Sequence, residues 1–512
     1  MNLTKILPRV IKSYPEKKAV VCSNKKFTYR QFGCRVGKLA NTLLESGIKK
    51  GDKVAVLHKN CHYYLESYFG IMQIGASLVP LNHHLSAHEL AFILKDSETR
   101  LLIADINFSK KAGDTIKRLK KSLKIIWTGE DYEDFIASAP LTLPSVDVEK
   151  KDVAQIYYTS GTTGRAKGVV LSHKNVYLHA LCTITELCLK ENDVWLHAAP
   201  LFHLADAWAT WAITLVGGTH VISSDFDPKI ICKSIEKQKV TLTNLVPTMY
   251  YRLVNYPKVG NYDYSTIRVL LSGGAPISPN LVQRIIETFK CDYIQTYGMT
   301  ETSPFLTMSI LKDHLRSLPY EERFRYKTTT GREFMGVELK VINEKGAEVK
   351  RDNREVGEII VKGETITNGY WKMPQETEKV FKNRWLYTGD MAVIDAEGYV
   401  TIVDRKEDMI ITGGENVYSI EVENVLYMHP SVLEAAIIGI PDEEWGEIVK
   451  AIVVLHKGKK ETEGEIIEFC KGRIAAYKVP KSVEFTESLP KLGSGKISKK
   501  KLKNRYDKES RL

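Results

Sequence analysis

Cysteine is scarce in this chain and never patterned. There are eight in 512 residues: Cys22, Cys34, Cys61, Cys182, Cys188, Cys232, Cys291 and Cys470. None forms a CxxC pair and none joins histidine at zinc spacing, so they read as reduced, mostly buried thiols rather than a disulfide framework or a metal site. Long hydrophobic runs are also missing. No window reaches the ~18 to 20 apolar residues of a membrane-spanning helix, and the nearest, Ala207 to Gly218, is too short. The opening "MNLTKILPRV" has no long apolar core followed by a small-residue cleavage site, so no signal peptide is expected and a cytoplasmic location is the default. There is no internal repeat and no low-complexity stretch.

What is present is an ordinary globular composition, 43% hydrophobic and 26% charged, in a chain too long for one core. Several domains are expected. The formal charge of +11 suits polyanionic ligands such as nucleotides. Apart from the tail "KISKKKLKNR", Lys496 to Arg505, the lysines are spread along the chain, so nucleic acid is not expected as a partner.

From about residue 50 to 300, short β-prone runs such as "DKVAVLH", "AQIYYT", "GTHVIS", "IRVLLS" and "DYIQTY" alternate with helix-like segments. Leu281, Ile285, Ile286 and Phe289 recur at helical spacing after "APISPN". That alternation predicts α/β layers with largely parallel sheets. Beyond about 330 the runs "VELKVIN", "GEIIVKG", "WLYTGDMAVID" and "GYVTIVD" are separated by short turns and predict hairpins. From about Arg405 a third texture, helix then strand then strand then helix, predicts a compact α+β unit. The expected fold is α/β: a large N-terminal domain, 1–404, of layered mixed and parallel sheets with helices and a β-rich subdomain at about 330–404. A small α+β C-terminal domain, 405–512, completes it.

"YYTSGTTGRAKG", Tyr157 to Gly168, follows an apolar run and concentrates glycines, hydroxyls and cations. Such a loop holds phosphate well: glycine lets the backbone come close, and N–H groups and hydroxyls donate to anionic oxygens. It is not a Walker A sequence, because Ala166 stands where a glycine is needed. By itself it is equally compatible with a flexible connection.

Further motifs follow in order: "PLFHL" (Pro200 to Leu204), "SGGAP" (Ser272 to Pro276), "TYGMTETSP" (Thr296 to Pro304), "LYTGD" (Leu386 to Asp390), "DRKEDMIITGGENV" (Asp404 to Val417) and "LPKLGSGKI" (Leu489 to Ile497). Together they resemble the adenylate-forming superfamily, and within it the acyl-CoA synthetases of the medium- and long-chain fatty-acid branch. The resemblance implies an AMP-forming acid–thiol ligase. A carboxylate would attack the α-phosphate of ATP to give an acyl-adenylate and pyrophosphate, and the thiol of coenzyme A would then displace AMP. The substrates implied are ATP, coenzyme A and a carboxylic acid, with Mg²⁺ as the metal. It also allows peripheral membrane contact for a lipid-like acid, and a homodimer.

On that resemblance, Thr159, Ser160, Gly161, Thr162, Thr163, Gly164 and Lys167 grip the departing phosphates. Glu301 holds the metal and Thr300 reaches the α-phosphate. Gly273, Gly274, Ala275, Tyr297, Gly298 and Met299 form the adenine side, with Asp390 and its companion Arg405 on the ribose. Lys496 is the catalytic lysine of the first step. Glu407 occupies the hinge position, where relatives usually have aspartate or lysine, and the small C-terminal domain that turns about it is a mobile lid. Gly413, Gly414, Glu415 and Trp445 border coenzyme A, and relatives often carry proline where Ser419 stands.

The acyl pocket is assigned to Phe202, Trp208, Trp211, Val246, Met249 and Ser272, with His203 beside the carboxylate. These walls favour a hydrophobic acid. Asp206 in their midst is expected to face solvent or a polar substrate end. The segment "KDHLRSLPYEERFRYKTTTG" resembles an insertion of the fatty-acid branch and favours fatty over aromatic acids. An aryl-acid ligase, or an enzyme loading an acyl-carrier protein, is the alternative.

Overall fold

In the computed structural model the described residues are 2–119, 122–129, 131–159, 166–491 and 497–509, with side chains to 506. Three sheets organise them. A six-stranded sheet contains strands Lys53–Leu57, Ser77–Pro80, Thr99–Asp105 and Lys124–Thr128 in parallel, and ends in Val153–Thr159 and Lys167–Ser172, paired antiparallel. A fourteen-stranded sheet changes character along its length. Strands Val194–His197, Thr219–Ile222, Leu242–Leu245, Val269–Ser272 and Asp292–Gly298 run parallel. The strands of residues 305–405 continue it antiparallel. The β-rich region is therefore an extension of the large sheet.

Parallel strands buried on both faces read as continuous apolar runs. Their crossover helices carry the caps expected of them: Ser278 accepts from the Leu281 N–H and Pro279 sits at the first helical position of Pro279–Phe289. A five-stranded sheet is built around the long hairpin of Val432–Asp442 and Gly446–Leu455. Its own core, including Ile410, Val422, Leu426, Ile437 and Ala451, is separate from the large one. Strand Tyr399–Arg405 belongs to the long sheet and Ile410–Thr412 to the small one. We propose the unit boundary at 404/405, before the last residue of the first of these strands. Among the described residues no helix is long and apolar enough to cross a membrane.

Candidate active site

The phosphate-loop sequence lies at the turn of a hairpin. Thr159 and Lys167 are cross-strand partners at its two ends; Ser160, Gly161, Thr162, Thr163 and Gly164 lie outside the described residues. Lys167 is not an open cation. Its Nζ pairs with Glu376 at 2.6 Å and lies 5.2 Å from the Tyr370 ring centre. A half-buried ammonium needs a partner, and in this structure Glu376 supplies it. Lys167, and behind it Lys379, hold the Glu376 carboxyl at about 2.

Residues 365–371 run beside that hairpin. The Val170 N–H donates to the Gly369 carbonyl at 3.2 Å and the Trp371 N–H to the Gly168 carbonyl at 2.7 Å. This registration places Tyr370 between Lys167 and Glu301. The Tyr370 hydroxyl donates to Glu301 Oε1 at 2.9 Å, and the Thr367 N–H donates to the Glu301 carbonyl at 2.7 Å. The sequence reading missed Tyr370 and Glu376; the only signal was aromatic residues after a glycine in "NGYW".

Glu301 lies on the single 3₁₀ turn Thr300–Thr302, directly after strand Asp292–Gly298. Gly298 has to be glycine, because a Cβ there would stand 1.8 Å from the Pro304 carbonyl oxygen. Burial raises the Glu301 carboxyl above its usual range, against the hydrogen bond from Tyr370. It forms no ion pair among the described residues. A buried carboxylate with one phenol donor suits Mg²⁺, which binds one or two carboxylates and fills its shell with phosphate oxygens and water. Among the described residues no cluster of three or more His, Cys, Asp or Glu could hold a metal, so the remaining ligands would come from substrate and solvent.

Tyr297, Asp390 and Arg405 form a linked triad. The Tyr297 hydroxyl donates to Asp390 Oδ2 at 2.6 Å, and Arg405 Nε lies 3.3 Å from Asp390 Oδ1. Asp390 and Arg405 are cross-strand partners in the long sheet. Burial, and then the Asp390 charge, push the Tyr297 phenol well above its usual value. Gly273, Gly274 and Ala275 follow the neighbouring strand Val269–Ser272, and Thr296 Oγ1 donates to the Ser272 carbonyl at 3.0 Å. The structure thus brings residues 272–275 and 297–301, at the ends of two neighbouring parallel strands, together with the cross-strand pair Asp390 and Arg405.

The acyl assignments divide. Val246 and Met249 are half-buried, and Ser272 and Phe202 are buried. Trp211 packs against Phe69 at 4.8 Å and Tyr68 at 6.1 Å, and Trp208 against Trp195 at 4.8 Å and Phe305 at 5.1 Å. Both indoles are spent on the main core, which corrects their assignment as pocket walls. His203 caps the short helix Leu204–Ala207, its ring 4.6 Å from that of Phe202. Asp206 faces neither solvent nor substrate, a second correction. It is fully buried and accepts from His197 Nδ1 at 2.6 Å and Trp195 Nε1 at 3.0 Å. Asn60 Nδ2 donates to the Ala199 carbonyl at 2.7 Å, and Tyr68 Oη to that of Leu201 at 2.7 Å. This buried polar scaffold fixes the segment carrying Phe202 and His203; sequence reading had no signal for it.

In the small unit, Gly413 and Gly414 have φ of +58° and +83°, conformations that glycine adopts without strain. The Gly413 N–H donates to the Trp445 carbonyl at 2.8 Å, and the indole lies over Gly413 while remaining 46% exposed. Glu415 is exposed beside them. Glu407 is exposed and 3.7 Å from Arg405. Lys496 lies outside the described residues. Replacing Trp445 by Ala should raise the KM for coenzyme A about threefold to tenfold, as loss of an aromatic contact worth about 1 kcal/mol would. Acid-dependent ATP–pyrophosphate exchange should not change. An unchanged KM would remove Trp445 from the thiol site.

The model of the AMP-binding enzymes matches residues 7–371, and that of the AMP-binding enzyme C-terminal domain matches residues 421–496. The chain is 37% identical to a feruloyl-CoA synthase of Amycolatopsis over 96% of both chains. It is 34% identical to 4-hydroxybutyrate–CoA ligase 2 of Metallosphaera sedula, over 97% of this chain and 93% of the relative. The ATP-bound structure of MatB from Rhodopseudomonas palustris superposes with a TM-score of 0.89, at 30% identity over 99% of both chains. The apo structure of the same protein, over the same coverage, gives 0.78.

Proposed function

The chain belongs to the AMP-binding enzymes, the adenylate-forming superfamily, and is an acid–CoA ligase that works through an acyl-adenylate; from that premise we propose the following division of labour at its site. The observation that carries it is the convergence of the 159/167 hairpin and Glu301, bridged by Tyr370, with the Tyr297–Asp390–Arg405 triad. In the first step a carboxylate oxygen bonds to the α-phosphorus of ATP while the bond to pyrophosphate breaks. Negative charge builds on the phosphates, so donors fixed in advance lower the barrier. Thr159 and the loop to Gly164 hold the departing phosphates. Lys167 joins them when it exchanges Glu376 for phosphate. Glu301, oriented by Tyr370, would hold Mg²⁺, which would neutralise phosphate oxygens. Asp390, held by Tyr297 and Arg405, accepts from the ribose hydroxyls, and Lys496 keeps carboxylate and α-phosphate in line.

In the second step the sulfur of coenzyme A attacks the carbonyl carbon, the carbon–oxygen bond to phosphate breaks, AMP leaves, and the thiol proton passes to solvent. Gly413, Gly414 and Trp445 border the entering thiol after the small unit turns about Glu407.

For the acid, we take a medium- or long-chain fatty acid as the first reading, from the apolar side chains of Phe202, Val246 and Met249 and the apolar cluster on which Met249 packs. An aryl acid is the second, favoured by the similarity to feruloyl-CoA synthase. The segment after the magnesium motif does not decide between them. It is tied to the large sheet by Lys327–Asp292 at 2.6 Å and Lys312–Glu397 at 3.2 Å, a structural use for two of its charges. Pyrophosphate release should be measured with ATP, Mg²⁺ and a panel of butyrate, octanoate, hexadecanoate and ferulate, each with and without coenzyme A. Acid-dependent release highest with the fatty acids supports the first reading, release highest with ferulate replaces it by the second, and none with any acid removes both.

A further inference from the structure

The last residues of the long sheet meet the small unit at one buried carboxylate. Asp404, only 1% exposed, accepts from Ser419 Oγ at 2.9 Å through Oδ1 and from the Ser419 N–H through Oδ2. Its own Oδ1 also takes the Arg405 N–H at 2.7 Å. Ser419 is buried and is the first residue of helix Ser419–Leu426. Lys499, the first residue of helix Lys499–Glu509, donates to Ser419 Oγ and pairs with Glu423 at 2.7 Å. Farther along that helix, Lys503 Nζ lies 3.5 Å from the Glu407 carbonyl. Two helix starts, at Ser419 and Lys499, therefore close on residues 404–407.

The bonds are of a kind that holds. Those around Asp404 and Lys499 join a charged group to a donor or acceptor largely away from water, where hydrogen bonds are stronger than at a surface, whereas the Lys503 contact is exposed. Lys499 is compensated by Glu423 and by the nearby Asp404 and Asp408, which outweigh the cost of its burial and raise its affinity for the proton. The cluster meets the site described above only at its edge, through the Arg405 N–H and the Glu407 carbonyl, and Lys499 is three residues along the chain from Lys496.

We propose that Ser419 and Lys499 are positioning residues for the first half-reaction: with Asp404 they latch the small unit in the arrangement seen here, and the latch must open before the thiol step. This rests on the two-step ligase reading. The arrangement seen is the one that superposes better on ATP-bound than on apo MatB, 0.89 against 0.78.

Ser419→Pro tests it with little risk to folding, because proline is well accepted at the first position of a helix. It removes both donors to Asp404 and the acceptor for Lys499. Acid-dependent ATP–pyrophosphate exchange, measured with the best acid among hexadecanoate, octanoate and ferulate, should fall about threefold to tenfold, the effect of losing about one net hydrogen bond's stabilisation. Thioester formation from supplied acyl-adenylate and coenzyme A should be unchanged or faster. Ser419→Ala, which keeps the N–H, should lie between. Small-angle X-ray scattering of the full chain should fit the present arrangement for the parent and depart from it for Ser419→Pro. Exchange at the parental rate, parallel loss in both half-reactions, or identical scattering would overturn the latch. A parent with no exchange on any acid would instead defeat the ligase reading, and scattering would still decide the latch.

Discussion

Replacing Glu301 by Gln should lower acid-dependent ATP–pyrophosphate exchange by about 10²- to 10³-fold, the loss typical of one preorganised charge-stabilising group. The amide keeps the shape of the side chain and still offers an oxygen to the Tyr370 hydroxyl, now 2.9 Å away. What it removes is the negative charge, in a place where burial already makes that charge expensive. Folding should therefore not suffer, and the melting temperature should be no lower than that of the parent. The residual activity should need more Mg²⁺, and thioester formation from supplied acyl-adenylate should be nearly untouched, since no pyrophosphate leaves in that step. A variant with parental exchange and parental Mg²⁺ dependence would take the metal away from Glu301.

Lys496→Ala should be equally damaging to the same half-reaction, about 10²- to 10³-fold, by loss of a charge that aligns carboxylate and phosphate. Two features separate it from the first variant. The Mg²⁺ requirement of the residual exchange should not move, and fold stability should not change. The neighbouring anchors are made by other residues, the Lys491–Ile497 bridge on one side and the Lys499–Glu423 pair on the other. Thioester formation from supplied acyl-adenylate should stay within about threefold of the parent, as a lysine used only in adenylation requires. Equal loss in both steps would contradict its role.

Much of this was legible in the chain because local chemistry and global fold agree. The parallel strands announce themselves as apolar runs, and Pro279 and Ser278 mark the helix that follows. The hairpins past residue 330 are punctuated by turns such as "AEG". The ordered motifs point to Glu301, Asp390 and Arg405 because each sits in a fixed setting of glycines and hydroxyls. What stayed hidden depends on contacts between residues far apart. Nothing near Lys167 says that Glu376, 209 positions away, takes its charge. Nothing in "NGYW" says that Tyr370 turns towards Glu301. Trp208 and Trp211 look like pocket walls beside "PLFHL", yet helix geometry turns their indoles into the core. Asp206 looks out of place in an apolar stretch until His197 and Trp195, on a separate strand, are seen to hold it. Ser419 reads as a minor exception and becomes informative only when Asp404 and Lys499 are beside it.

The central claim is that the acid is activated by bonding its own oxygen to the α-phosphate. It is tested most directly by supplying a carboxylic acid labelled with ¹⁸O in both carboxyl oxygens, together with ATP, Mg²⁺ and coenzyme A, and weighing the nucleotide product. Attack at phosphorus followed by thiol attack at carbon transfers one carboxyl oxygen, so the AMP formed should carry a single ¹⁸O. AMP without label, or ADP in place of AMP, would contradict the account.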